Sequence, residues 1–232
     1  MPSTPMQKIM SVVNQVAFPA VARLQTDPVT LRRHLTKTLR LISFVGVPLA
    51  WGLGSVAPEF VLLAFGPKWS AVTEPLQVLC LLIPLRMLGS LLITSVVAIG
   101  SASSDVRNTV ISIIVLPPAF LIGVHWGVTG LAWAWVAGIA ICYAILMPRI
   151  SVILGIRLRD MARAVYLNVA AGLAMCAVVF AVRSLVSVAS LPARLAVLVA
   201  SGALAYVIVV SIIDRSIWHD CKDLLVRDRG PD

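Results

Sequence analysis

The chain has 232 residues, 59% hydrophobic and 12% charged, and its 19 Lys and Arg against 10 Asp and Glu give a net charge of +9. At a mean hydropathy of +0.97, one soluble core of this size has no room for so many apolar side chains, so the composition calls for lipid as solvent. The basic excess does not point to nucleic acid, because it sits beside apolar stretches rather than gathering into one patch or stripe.

The beginning is the least regular part. Residues 7–22 read QKIMSVVNQVAFPAVA, apolar apart from Asn14 and Gln15 in the middle, and fall short of the about 20 residues that cross a hydrocarbon core. They read as the tail of a helix whose beginning is missing, or as a short surface helix. Thr26-Asp27-Pro28 has the form of a helix start, with Asp27 as N-cap and Pro28 at the first helical position. Leu31, Leu35 and Leu39 then recur every four residues, an apolar stripe predicted to lie on the membrane surface before the chain turns into the bilayer.

Six long apolar stretches follow: Leu41–Pro58, Pro75–Gly100, Thr109–Val124, Trp126–Pro148, Ala164–Val182 and Leu195–Ile213. Each approaches or exceeds spanning length. A helix pairs its own backbone groups, whereas every unpaired group in lipid costs several kcal/mol, so helices are the economical reading. A β-barrel would instead show strands of about ten residues with alternating polarity. The fold class is therefore all-α: a polytopic membrane helical bundle of six transmembrane helices plus a partial N-terminal helix.

Within the spans, Gly46, Ala50 and Gly54 form a small-residue stripe, as do Ala134 and Gly138, where another helix can approach closely. Pro48, Pro84 and the Pro117-Pro118 pair are predicted to bend their helices, since proline removes a backbone donor and its ring crowds the preceding turn. Trp69, Trp126 and Trp133 fall near one set of span ends and Tyr166 and Trp218 near the other, as interfacial anchors do.

Counting basic residues loop by loop sets the orientation. Arg23, Arg32, Arg33, Lys37 and Arg40 precede the first span, Arg107 follows the second, and Arg149, Arg157, Arg159 and Arg163 follow the fourth. Arg215, Lys222, Arg227 and Arg229 follow the sixth, while the opposite loops hold only Lys68, Arg183 and Arg194. The positive-inside rule makes the richly basic side, and the C-terminus with it, cytoplasmic. There each basic residue attracts anionic lipid by about 1 kcal/mol.

One charge falls in the wrong place. Arg86 lies near the centre of the second span, in LCLLIPLRMLG, where a charge costs roughly 2.5 to 3.5 kcal/mol on the insertion scale. It should face a polar cavity or a partner, and its guanidinium suits a diphosphate or carboxylate. The plainer alternative is that it bonds the carbonyl freed by Pro84 or marks a shorter, shifted helix.

No metal or cofactor is called for. Cys80, Cys142 and Cys176 lie in spans and Cys221 in the tail without a CxxC, and His34, His125 and His219 are scattered. The acids occupy loops and tail; Asp220 and Asp223 are the one close pair beside a histidine. An enzyme acting on lipid-linked sugars needs a general base or metal ligands, and no such constellation emerges. A membrane-embedded glycolipid transferase or polymerase, and a non-catalytic partner subunit served by the small-residue stripes, are the competing classes.

Residues Gln15 to Gly155 resemble the C-terminal half of bacterial polysaccharide flippases, the Wzx-like O-antigen and exopolysaccharide exporters of the multidrug/oligosaccharidyl-lipid/polysaccharide flippase superfamily. The resemblance rests on Phe18-Pro19 before a basic loop, Pro48 in the next span, and APEFVLLAFGPKWSAV, where Pro58, Phe65, Gly66 and Trp69 match the family's pattern. Gly100 and then GVTGLAWAWV, with Gly127 and Gly130, continue the order.

What the resemblance implies is a transporter, not an enzyme. Its fold would be the second lobe of a two-lobe flippase in the bacterial inner membrane, with the substrate an undecaprenyl-diphosphate-linked oligosaccharide. With that substrate, Arg86, by its depth alone and not by any family motif, would bind the diphosphate in the cavity, and Arg32 and Arg33 would attract the anionic head group from the cytoplasm. Residues 1–24 would be the end of a truncated membrane helix or an interfacial helix, 25–163 the lobe, 164–214 two additional C-terminal helices, and 215–232 a basic cytoplasmic tail. A missing N-terminal lobe or a second membrane chain would complete the cavity, so independent flipping by one copy is not expected.

Overall fold

The computed structural model describes residues 28–100, 103–185 and 190–213. Segment 7–22, the Asp27 cap, Trp218, Cys221 and the basic tail lie outside the described residues. Every regular element among the described residues is helical: α1 (Pro28–Ser55), α2 (Ala57–Ala64), α3 (Thr73–Ala98), α4 (Ser103–Gly123), α5 (Gly127–Ile153), α6 (Leu158–Leu185) and α7 (Leu191–Ile213). Six are long, and α2 is a helix of eight residues. Short 3-10 turns, Pro67–Val72 and Val124–Trp126, precede α3 and α5.

Among the described residues, five stretches are long and apolar enough to cross a membrane: Arg32–Ser55, Pro67–Ala98, Val106–Ile153, Leu158–Leu185 and Leu191–Ile212. The third contains both α4 and α5, joined through the 3-10 turn.

The helix limits differ from the apolar windows for local reasons. Leu31, Leu35 and Leu39 belong to the same continuous helix as the first span, without the break in helix expected before it; Leu35 and Leu39 are each 1% exposed. Pro58 does not end the first span but opens α2, whose first turn needs no proline N–H. α5 continues past Pro148 and Arg149 to Ile153, and α6 begins at Leu158 ahead of its apolar window. Hydrogen bonding carries a helix through charged turns that hydropathy excludes. α1, α3, α4 and α5 also run on through Pro48, Pro84, Pro117-Pro118 and Pro148.

The chain divides into two compact units, Met1–Leu39 with Leu85–Ala162, and Arg40–Pro84 with Arg163–Asp232. In the first, α4 and α5 form a tight antiparallel hairpin. Gly127, with φ +68°, takes the left-handed conformation that lets the chain leave the 3-10 turn and enter α5. A Cβ on Gly123 would lie 2.6 Å from that of Ala134, and one on Gly138 would lie 2.8 Å from Leu116 Cδ2. The Ala134/Gly138 stripe therefore packs on α4.

In the second unit, α6 and α7 pack on the later part of α1. The inward residues of α6 are Ala164, Asn168, Ala171, Met175 and Val179, recurring every three or four positions. On α7, Leu198, Tyr206 and Val210 are buried while Leu204, Ile208 and Ile212 are exposed at four-residue spacing. Apolar residues on both faces are what a helix between protein and lipid requires. The Gly46/Ala50/Gly54 stripe of α1 is buried, and a Cβ on Gly54 would stand 2.9 Å from Cys80 Cβ of α3.

Polar groups inside this unit bind the backbone of α1. Asn168 donates to the Arg40 carbonyl at 2.9 Å and to the Ser43 hydroxyl at 2.6 Å. Tyr206 Oη donates to the Phe44 carbonyl at 2.8 Å. Phe44 is four residues before Pro48, so its carbonyl is the one that proline deprives of a helical donor.

Candidate functional site

Arg86 stands on α3, thirteen residues after Thr73 and twelve before Ala98, or about 18 to 20 Å from either end at helical rise. Its side chain is exposed. The guanidinium carbon lies 5.7 Å from the centre of the Trp135 ring on α5, within range of a cation–π attraction. Trp135 is in turn held edge-on by Phe120 of α4, with centroids 6.0 Å apart and planes at 84°.

One turn along α3, Gly89 has no side chain, and the Tyr143 ring of α5 occupies the space a Cβ would take. Trp135 and Tyr143 are eight residues apart on α5, two turns along one face. The hairpin thus sets two aromatic rings beside the part of α3 that carries the charge.

This arrangement leaves the guanidinium anchored but unneutralised. Among the described residues, neither a carboxylate nor a hydrogen-bond acceptor pairs with Arg86. The carbonyl freed by Pro84 does not hold it either. Five N–H donors in a planar fork match the paired oxygens of a carboxylate or diphosphate.

Arg32 and Arg33 are placed differently. Both lie near the start of α1 and are exposed. Arg32 donates to the carbonyl of Gly155, tying α1 to the link after α5, while Arg33 remains at the surface. No hydrogen bond or ion pair among the described residues joins either of them to Arg86.

A second charged group was hidden from sequence reasoning. Glu59 of α2 is 5% exposed and accepts from Arg183 at 3.1 and 2.6 Å, with Arg194 Nε 3.5 Å away. Arg183 also donates to the Ser55 carbonyl at 2.5 Å. The two arginines flank the link between α6 and α7, so one carboxylate fastens both helices to the α1–α2 junction. Counted as loop charges, Arg183 and Arg194 are unremarkable. The usable signal was Glu59 itself, an acid inside the apolar run APEFVLLAF. Because its partners are internal, this group is a clamp.

The cysteines among the described residues, Cys80, Cys142 and Cys176, are free thiols. Trp69, Trp126, Trp133 and Tyr166 are each more than half exposed, as rings at a lipid interface are.

Residues 1–74 match the model of a family described as polysaccharide biosynthesis protein. The chain is 33% identical over 142 residues to an uncharacterized membrane protein in the cps region of Klebsiella pneumoniae, covering 61% of this chain and 28% of that one. It is 31% identical over 119 residues to the lipopolysaccharide biosynthesis protein WzxC of Escherichia coli (strain K12), covering 51% and 24%. It is 34% identical over 84 residues to the teichuronic acid biosynthesis protein TuaB of Bacillus subtilis (strain 168), covering 36% and 17%. The chain thus spans about a quarter of the length of the curated relatives it matches first. No solved structure matches it significantly. The sequence resemblance is met at this level: the chain has partial homology to membrane proteins of polysaccharide biosynthesis.

Proposed function

We propose that this chain supplies helices of a transporter that moves an undecaprenyl-diphosphate-linked oligosaccharide across the bacterial inner membrane, with Arg86 binding the diphosphate. The observation that carries the reading is the mid-helix guanidinium of Arg86, seated on Trp135 and without an acid partner among the described residues. A charge at that depth is retained where something anionic meets it, and a lipid-linked diphosphate brings its charge to the membrane while its tail remains in the bilayer. The family description and the names of WzxC and TuaB speak of polysaccharide, lipopolysaccharide and teichuronic acid biosynthesis, in keeping with a lipid that carries sugars.

In this reading α1, α3, α4, α5, α6 and α7 are six spans, with α4 and α5 crossing separately. The ends bearing Arg32, Arg33, Arg107, Arg149 and Arg157 face the cytoplasm by the positive-inside rule, and the C-terminus emerges on the same side. Arg33 and its neighbours raise the local concentration of the anionic head group at that face. The Arg86 wall then faces a cavity closed by a second lobe, and rocking of the lobes exposes it to either side in turn. The Glu59 clamp keeps α6 and α7 attached to α1 and α2 while the wall moves.

The reading is tested by binding. In lipid nanodiscs, the full chain should retain undecaprenyl diphosphate over undecaprenol, and Arg86→Ala should remove that preference by roughly tenfold, the size of one charge-assisted contact. Equal retention by Arg86→Ala would show that the diphosphate is held elsewhere.

A further inference from the structure

A cleft lies at the open end of the α4–α5 hairpin, opposite the Val124–Trp126 turn, where the start of α4 and the end of α5 meet the last turns of α3. Val96, Leu146 and Ile150 are buried beneath it, and Ile93 and Ile153 extend the same apolar surface. Its rim carries Arg107 and Arg149, both exposed, with Asn108 between apolar neighbours. Among the described residues, no acid lines it and neither arginine has an ion-pair or hydrogen-bond partner.

We propose that this cleft binds one anionic phospholipid, its phosphate held between Arg107 and Arg149 and an acyl chain laid along Ile93, Val96, Leu146 and Ile150. Depth and charge carry the proposal together. Arg107 is four residues inside the start of α4 and Arg149 four residues before the end of α5. That is one turn, about 6 Å, from the helix ends, the level of the head groups rather than of the bilayer centre. Two cations above an apolar floor, without a partner among the described residues, match a lipid's own order of phosphate above hydrocarbon, and basic pockets between membrane helices are the general form of such sites.

The lining also separates this site from that of a sugar-bearing lipid. Among the described residues, Asn108 is the one neutral polar side chain in the cleft and no aromatic ring borders it, a lining that offers an oligosaccharide little to bond. Arg86, with its rings, belongs to a different stretch of α3.

Native mass spectrometry of the full chain, delipidated and then offered phosphatidylglycerol, phosphatidylcholine or undecaprenyl diphosphate, tests the proposal. Wild type should retain one phosphatidylglycerol in preference to phosphatidylcholine, and millimolar inorganic phosphate should not displace it. Arg107→Gln with Arg149→Gln should lower that retention roughly tenfold or more, while Arg157→Gln with Arg159→Gln should leave it unchanged. An equal fall in the second pair would mean diffuse attraction and overturn the site. Equal retention of phosphatidylcholine, release by inorganic phosphate, or retention of undecaprenyl diphosphate alone with the same arginine dependence would overturn it as well. A measurement on wild type alone stands beside these: photoactivatable phosphatidylglycerol should label residues 103–110 and 146–153, and labelling spread evenly over all helices contradicts the proposal. The outcome is independent of Arg86, so either assignment can fail without the other.

Discussion

The hydroxyl of Tyr206 on α7 donates, at 2.8 Å, to the Phe44 carbonyl of α1, the acceptor that Pro48 leaves without its helical donor. The two residues are 162 positions apart. A helix broken in its hydrogen bonding inside lipid normally costs several kcal/mol per orphaned group; here the last helix of the described chain fills the gap. Proline in α1 and tyrosine in α7 therefore form one feature.

Tyr206→Phe should accordingly lower stability in detergent by about 1 kcal/mol, the usual scale of an interhelical hydrogen bond in membranes. Pro48→Ala restores the backbone N–H, so in that background Tyr206→Phe should cost almost nothing. A double-mutant cycle on unfolding midpoints reads the coupling. Additive effects would mean that the hydroxyl bond does not replace the missing amide.

Glu59→Gln should cost about 3 kcal/mol, because it leaves two arginines at the α6–α7 link facing an uncharged amide at a buried site. Arg183→Ala should cost more than Arg194→Ala. Arg183 makes two bonds to the carboxylate and one to Ser55, whereas Arg194 is more exposed and 3.5 Å away. Thermal unfolding of the three variants in one detergent checks the order, and equal losses from both arginines would argue against the geometry described.

Gly89→Ala places a methyl where the Tyr143 ring now lies. Overpacking of this kind costs about 1 to 3 kcal/mol and should also shift the ring beside Arg86. The variant should therefore lose diphosphate-lipid retention out of proportion to its loss of stability. Wild-type retention in a folded Gly89→Ala protein would separate Tyr143 from the binding wall.

The parts of the fold that were legible in the sequence are those set by length and one-residue chemistry. Apolar runs gave the long helices because a helix is the only local way to pair backbone in lipid. Ala134 and Gly138 marked the α4–α5 contact because small side chains at four-residue spacing permit it. The mid-helix position of Arg86 was legible because an arginine inside so long an apolar run stands out.

What could not be read depends on which distant residues meet. Trp135, Phe120 and Tyr143 look like ordinary members of apolar spans until the hairpin brings them to α3. Arg183 and Glu59, 124 positions apart, have no mutual signature. The start of α6 and the continuity of α1 through its basic turns were missed because hydropathy reports the solvent around a helix, not its hydrogen bonds.

The central claim is that Arg86 meets the diphosphate of a lipid-linked oligosaccharide. Its most direct test is Arg86→Ala introduced into a full-length transporter carrying this sequence, expressed in a flippase-null strain at matched membrane levels, with surface polysaccharide measured. Export should fall to roughly a tenth or less, equivalent to about 1.4 kcal/mol or more, while Arg33→Ala keeps most of it. Undiminished export by Arg86→Ala at equal protein would contradict the claim.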